Sequence, residues 1–215
     1  MNDLDRDLAG AARAHVAVVA ALQDLSDDQA RQPSLLPGWT VGHVATHIAR
    51  NADGHLRMLD AARRGEIAAM YPGGREQRTH DIEAGSGRSA RELTADVSAT
   101  TAALEAAWAA MTSEAWSARG EAITGEVLMA DLVFIRWREV CVHHTDLGIG
   151  YTWADWDDDY VRLELLRLSM LRASRKPMGM TDLPSQALAV PPHHRVAWLL
   201  GRAAIEGLGP AGIMN

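Results

Sequence analysis

The residue types best suited to chemistry stand close together in Arg138-Glu139-Val140-Cys141-Val142-His143-His144-Thr145-Asp146. Glu139 and His143 are four apart, so on a helix their side chains stack on one face. That face continues through Leu132 and Arg136 on one side and Leu147 on the other, which directs it inward. A carboxylate and an imidazole indoors need partners, because burying them unpaired is expensive. One reading is a self-satisfied Glu–His hydrogen bond in a helix interior. The other is two ligands of a metal ion completed from a facing helix, as helix bundles build metal sites. A second helical stretch offers His43 and His47, also four apart. His47 shares the side of Val44, Ile48 and Asn51, whereas His43 lies a turn earlier. Two imidazoles and one carboxylate leave a position open on a tetrahedral zinc ion, the stoichiometry of a catalytic centre. The residual positive charge would suit an anion such as a thiolate. Cys141 lies two residues from Glu139, about 200° round a helix. It faces away from that pair and reads as a small buried hydrophobe rather than a nucleophile.

Helices must position these groups, and helical periodicity dominates the chain. In residues 3–25, Leu4, Leu8, Ala12, Val16, Val19 and Leu22 recur three or four apart, an amphipathic stripe. Thr40 is a suitable N-cap for a second helix running to Gly65. Residues 66–88, punctuated by Pro72-Gly73-Gly74 and Gly85-Ser86-Gly87, read as a long polar binding loop carrying Arg78. Ser89-Ala90-Arg91-Glu92 matches a capping box and opens a third helix to about Met111. After an irregular connection over 116–125, a fourth helix spans about 126–147 and stops at Gly148. Four such helices predict a mainly α protein built as a four-helix bundle over 1–152. A short C-terminal domain, 153–215, reads as an α/β appendage. It has a helix at about 157–174, a loop with Pro177, Gly179 and Pro184, a strand-like Ala187–Val190, and a last helix at about 194–208.

The 215 residues are 47% hydrophobic and 23% charged, a globular composition, with a formal charge of −7. Nothing supplies the basic face that nucleic acid demands. No apolar stretch reaches the roughly 18 residues needed to span a bilayer. The acidic N-terminus does not match a signal peptide, so a cytoplasmic location is expected. The single cysteine excludes an intramolecular disulfide and a cysteine-based zinc site.

The stretch from Leu36-Pro37-Gly38-Trp39 through His47-Ile48-Ala49-Arg50-Asn51-Ala52-Asp53 resembles the first signature of mycothiol-dependent maleylpyruvate isomerases, a branch of the DinB-like metal-dependent four-helix-bundle superfamily. Arg136-Trp137-Arg138-Glu139 through Asp146-Leu147-Gly148 resembles their second signature. Met70-Tyr71-Pro72, Arg78 and Asp81-Ile82-Glu83-Ala84-Gly85 resemble the intervening loop, and Ala197-Trp198-Leu199-Leu200-Gly201-Arg202 the C-terminal motif. The resemblance implies zinc ligands at His47, Glu139 and His143, and arginines around the substrate at Arg78 and Arg202. Asn51, one turn after His47, is a candidate for polar lining. The implied activity is isomerisation of maleylpyruvate to fumarylpyruvate by reversible addition of mycothiol's thiolate, with Arg78 and Arg202 gripping the dicarboxylate. The implied partners are that substrate and the low-molecular-weight thiol, and the expected state is a monomer. A mycothiol S-transferase using the same zinc-activated thiol is the alternative within enzymes. A non-catalytic metal-binding or thiol-sensing helical protein is the alternative outside them. The chain departs from the family pattern in its short C-terminal part and in Gly73-Gly74 and His80 of the loop, where substrate choice is made.

Overall fold

The computed structural model describes residues 3–123, 125–174 and 183–212. The chain divides into two compact units, Met1–Gly150 and Tyr151–Asn215. The first unit is built on four long helices: α1 (Asp3–Gln23), α3 (Val41–Arg63), α5 (Ala90–Ala109) and α7 (Met129–Asp146), joined in chain order by α2 (Asp27–Arg31), α4 (Gly74–Ser86), α6 (Ser113–Trp116) and an antiparallel hairpin of β1 (Arg119–Ala122) and β2 (Gly125–Leu128). The architecture is mainly α, as periodicity predicts. α3 packs against α5, α7 and α4, and α1 packs against α7 and α5. The core between them includes Val18, Leu22, Val44, Ile48, Leu93, Val97 and Val140.

Local chemistry starts these helices where expected. Thr40 caps α3 and Ser89 caps α5, each with a reciprocal capping box. In α1 the phase differs from the apolar stripe. Its inward positions are Asp7, Gly10, Ala11, His15, Val18 and Leu22, while Val16 is 72% exposed. His15 occupies the core face because Glu105 and Arg136 partner it there, and counting apolar residues misplaces a face of that kind. Gly10 is on it for steric reasons: a Cβ would overlap the Trp137 ring.

Two connections carry more structure than their composition signals. The stretch 66–88 is not a loop throughout, since α4 occupies 74–86 and buries only Ile82. A helix buried at one residue has no apolar period to read. The segment 116–125 contains the last residue of α6 and all of β1, and β2 takes the residues expected to begin the fourth helix, which starts at Met129. β1 also ties down the lead into α4, because Met70 N–H donates to Glu121 O at 2.9 Å.

The second unit contains a 3-10 turn (Trp153–Asp155), α8 (Asp158–Ser174), α9 (Ser185–Ala189) and α10 (Pro192–Leu199). The strand-like Ala187–Val190 is helical up to Ala189, so the described residues of this unit contain helices and no strand. A four-residue apolar run cannot separate the two periods. The last helix ends at Leu199 rather than near Leu208, with Gly201 in the left-handed region at φ +75°. Pro177 and Gly179 lie outside the described residues.

Candidate metal centre

α3 and α7 bring three donors to one point. His47 Nε2 stands 3.2 Å from Glu139 Oε2, and His143 Nε2 stands 3.5 Å from the same oxygen. The ligand atoms of His47, Glu139 and His143 all lie within 4.8 Å of one another. The two imidazoles meet edge to face with centroids 4.4 Å apart. Two nitrogens and one carboxylate oxygen, converging from two rigid helices, form a donor set that fits a divalent ion with an open position.

The competing histidine has other work. His43 Nδ1 accepts the Thr40 N–H at 3.2 Å in the cap of α3, and its Nε2 faces Glu83. Cys141 is buried and outside the donor set, as the helical phase predicts.

Burial and mutual contact set the charges. Burial, aided by the neighbouring His143, lowers His47 to about 4, so it is a neutral imidazole at pH 7. Burial works against the charge on Glu139, but hydrogen bonds from His143 and His47 outweigh it and hold the carboxyl well below the usual range. Burial likewise opposes protonation of His143; bonds to Asp146 and Glu139 win, and its pKa is raised.

Behind these three lies polar support. His143 Nδ1 meets Asp146 Oδ2 at 2.9 Å. Asn51 Nδ2 faces Glu139 Oε2 at 3.4 Å, while its oxygen accepts from Arg136 Nη1 at 2.8 Å. Arginine only donates, so this bond fixes which end of the carboxamide faces Glu139. Arg136 is fully buried, and burial lowers it to about 10 with Glu139 the chief opposition. It also donates to Ile48 O at 2.9 Å and, through Nε, to His15 Nε2 at 3.0 Å. His15 must therefore carry its hydrogen on Nδ1, which donates to Glu105 Oε1 at 2.8 Å. A polar chain thus crosses the bundle from α5 through α1 and α7 to α3.

His47 and Glu139 open onto a cavity of about 380 Å³, lined also by Asn51, Tyr71, Arg75 and Arg78, with Ile123, Leu132 and Ile135 as apolar wall. Arg78 projects from α4, half-buried, with Nη2 3.2 Å from His47 Nδ1. Burial pushes the Tyr71 hydroxyl up to about 12 against the pull of the adjacent Arg78 cation. His55, also on the lining, is fully buried, and neither ring nitrogen has a hydrogen-bond partner. Arg202 belongs to the second unit, where its Nη1 donates to Leu200 O at 2.7 Å. Sequence patterns assign no role to Asp146, Tyr71 or the Arg136–His15 chain. Asp146 is detectable as the acid three residues after a candidate ligand; the cross-helix bonds have no local signal.

The chain thus pairs a helical bundle with a His–Glu–His cluster that could hold a metal ion. Residues 11–148 match the family model described as the mycothiol maleylpyruvate isomerase N-terminal domain, and the chain belongs to that family. Two crystal structures of the mycothiol-dependent maleylpyruvate isomerase, one of a histidine-to-alanine mutant, share the fold with a TM-score of 0.82. The mutant is 23% and the other 24% identical to this chain, and each match covers 94% of this chain and 90% of that one. No curated protein matches the chain. No helix among the described residues is long and apolar enough to cross a membrane.

Proposed function

We propose that this protein is a zinc- and mycothiol-dependent cis–trans isomerase acting on maleylpyruvate. The observation that carries the reading is the convergence of His47, Glu139 and His143 beside a cavity whose lining also includes Arg75 and Arg78. His47, Glu139 and His143 would hold the ion, which on this donor set supplies Lewis acidity that favours a thiolate over a thiol. Mycothiol supplies the nucleophile, whose reversible addition makes the double bond rotatable.

The chain's own residues do the rest. Arg78, with Arg75 one turn earlier, faces the space next to the donors, and guanidinium forks suit a dicarboxylate. Arg202, which the resemblance implies near the substrate, is a second candidate partner for a carboxylate. Asn51 directs the Glu139 carboxylate and lines the polar side of the cavity. Leu132, Ile135 and Ile123 supply a wall that keeps water from the reacting carbons. We place the protein in the cytoplasm as a monomer with small-molecule partners, which size-exclusion chromatography checks.

Proton NMR of maleylpyruvate with mycothiol and zinc-loaded protein tests the reading. Formation of fumarylpyruvate with thiol regenerated is the expected result, and turnover should survive Cys141→Ala. A stable thioether product would instead identify an S-transferase. Stoichiometric zinc without turnover would identify a binding protein.

A further inference from the structure

The two histidines of the cluster present the same atom, Nε2, to Glu139, yet their outer nitrogens face opposite chemistry. His143 Nδ1 faces a carboxylate oxygen, Asp146 Oδ2, at 2.9 Å. That acceptor keeps a hydrogen on Nδ1 and leaves Nε2 as the metal-facing atom, the usual arrangement of a ligating histidine. His47 Nδ1 instead faces Arg78 Nη2 at 3.2 Å. A guanidinium has only N–H bonds to offer. His47 Nδ1 must therefore be the acceptor, and the one ring hydrogen of neutral His47 sits on Nε2, directed at Glu139 Oε2.

Coordination through Nε2 needs the lone pair that this hydrogen occupies. The hydrogen then belongs on Nδ1, a change of tautomer at constant charge. Nδ1–H and the Arg78 N–H would face each other as two donors, and the contact cannot persist. We propose that metal occupancy and the Arg78–His47 contact exclude one another, so that filling the site turns the Arg78 guanidinium from His47 into the cavity, where it is available to a carboxylate. This inference rests on the metal reading and adds to it a coupling between metal and anion.

The coupling needs only side-chain rotation. Arg78 already lines the cavity, and α4 stays seated through buried Ile82. Arg78 also has a task in the metal-free protein: it caps a nitrogen that would otherwise lack a partner in a fully buried ring. Coupling is reciprocal, so a dicarboxylate gripped by Arg78 must tighten zinc binding by the factor by which zinc tightens the dicarboxylate.

Two measurements test this on the full chain. Nitrogen-15 NMR of the imidazoles should show His47 as the Nε2–H tautomer without metal and the Nδ1–H tautomer with zinc. Competition with a chromophoric chelator should show Arg78→Met binding zinc at least threefold tighter than wild type, with Arg75→Met, which removes the same charge, changing less. Succinate should tighten zinc binding to wild type and to Arg75→Met but not to Arg78→Met. An unchanged His47 tautomer on zinc loading, or equal effects of the two arginine variants, would overturn the coupling while leaving the metal site standing. Failure of the wild type to take up one zinc per chain would overturn the metal reading itself.

Discussion

Asp146 Oδ2 lies 2.9 Å from His143 Nδ1, three residues earlier on the same helix, and its side chain is almost fully buried. The carboxylate fixes the ring's orientation and its tautomer, leaving Nε2 aimed at Glu139. Asp146→Asn keeps the shape but presents an amide whose nitrogen can face the ring as a donor. Zinc affinity is expected to fall about 10- to 100-fold, the range found for outer partners of ligating histidines. Chelator competition on the folded variant checks it, and wild-type affinity would remove Asp146 from the argument.

Arg136 is the most committed charge in the bundle. It donates to His15, Ile48 O and Asn51 from a position with no solvent exposure. Arg136→Met preserves bulk but leaves three acceptors without their donor. The expected cost is roughly 3–5 kcal/mol, the range for removing one partner from a buried charged network. Urea denaturation of the metal-free protein measures it; a loss below about 1 kcal/mol would show that the network relaxes without its centre.

What is legible in the sequence follows from which forces act locally. Helical spacing puts Glu139 and His143 on one face, and the company of Val44, Ile48 and Asn51 favours His47 over His43; the fold gathers those three. Capping boxes are local too, and Ser89 with Glu92 is readable from a four-residue pattern alone. α4 is not, because a helix that buries only Ile82 shows no apolar stripe. The phase of α1 misleads because His15 is stabilised by Glu105 and Arg136, residues 90 and 121 positions away. Cross-bundle bonds of that kind leave no trace in spacing.

Acid should destabilise the metal-free protein through its buried neutral histidines. Burial lowers His55 to about 3, and His15 and His47 to about 4, against an ordinary 6.5. In the window between these values the unfolded chain binds protons that the folded chain refuses. Stability is therefore full above pH 6.5 and falls as pH drops toward 4. His143 has the opposite sign: its raised pKa adds stability below pH 6.5 that is lost as pH rises through the folded value. Three against one, the net slope is a loss on acidification. His55→Leu should make the loss between pH 7 and pH 5 smaller by about 2 kcal/mol. Denaturant midpoints at the two pH values measure it, and identical losses in both proteins would refute the assignment to His55.

The position of Arg78 depends on how closely α4 rests on α3, and Gly42 sets that distance. A Cβ at Gly42 would overlap the Ser86 carbonyl oxygen, a backbone atom at the end of α4, and would crowd Ala30 O at 3.3 Å. A backbone atom cannot rotate aside, so Gly42→Ala must push the two helices apart. Overpacking of this kind costs roughly 1–3 kcal/mol. The donors sit on α3 and α7, so zinc stoichiometry should be unaffected. Arg78 and Arg75 ride on α4, and a misplacement of about 1 Å in a substrate clamp can reduce rate about a hundredfold. Gly42→Ala is therefore expected to lower kcat/KM at least tenfold while retaining one zinc per chain. Gly87→Ala is the control: it lies one residue beyond Ser86 at φ −85°, and a Cβ there meets nothing within 4 Å. It should keep full activity and match or exceed wild-type stability. Equal kinetics for the two alanine variants would show that α4 does not position the substrate.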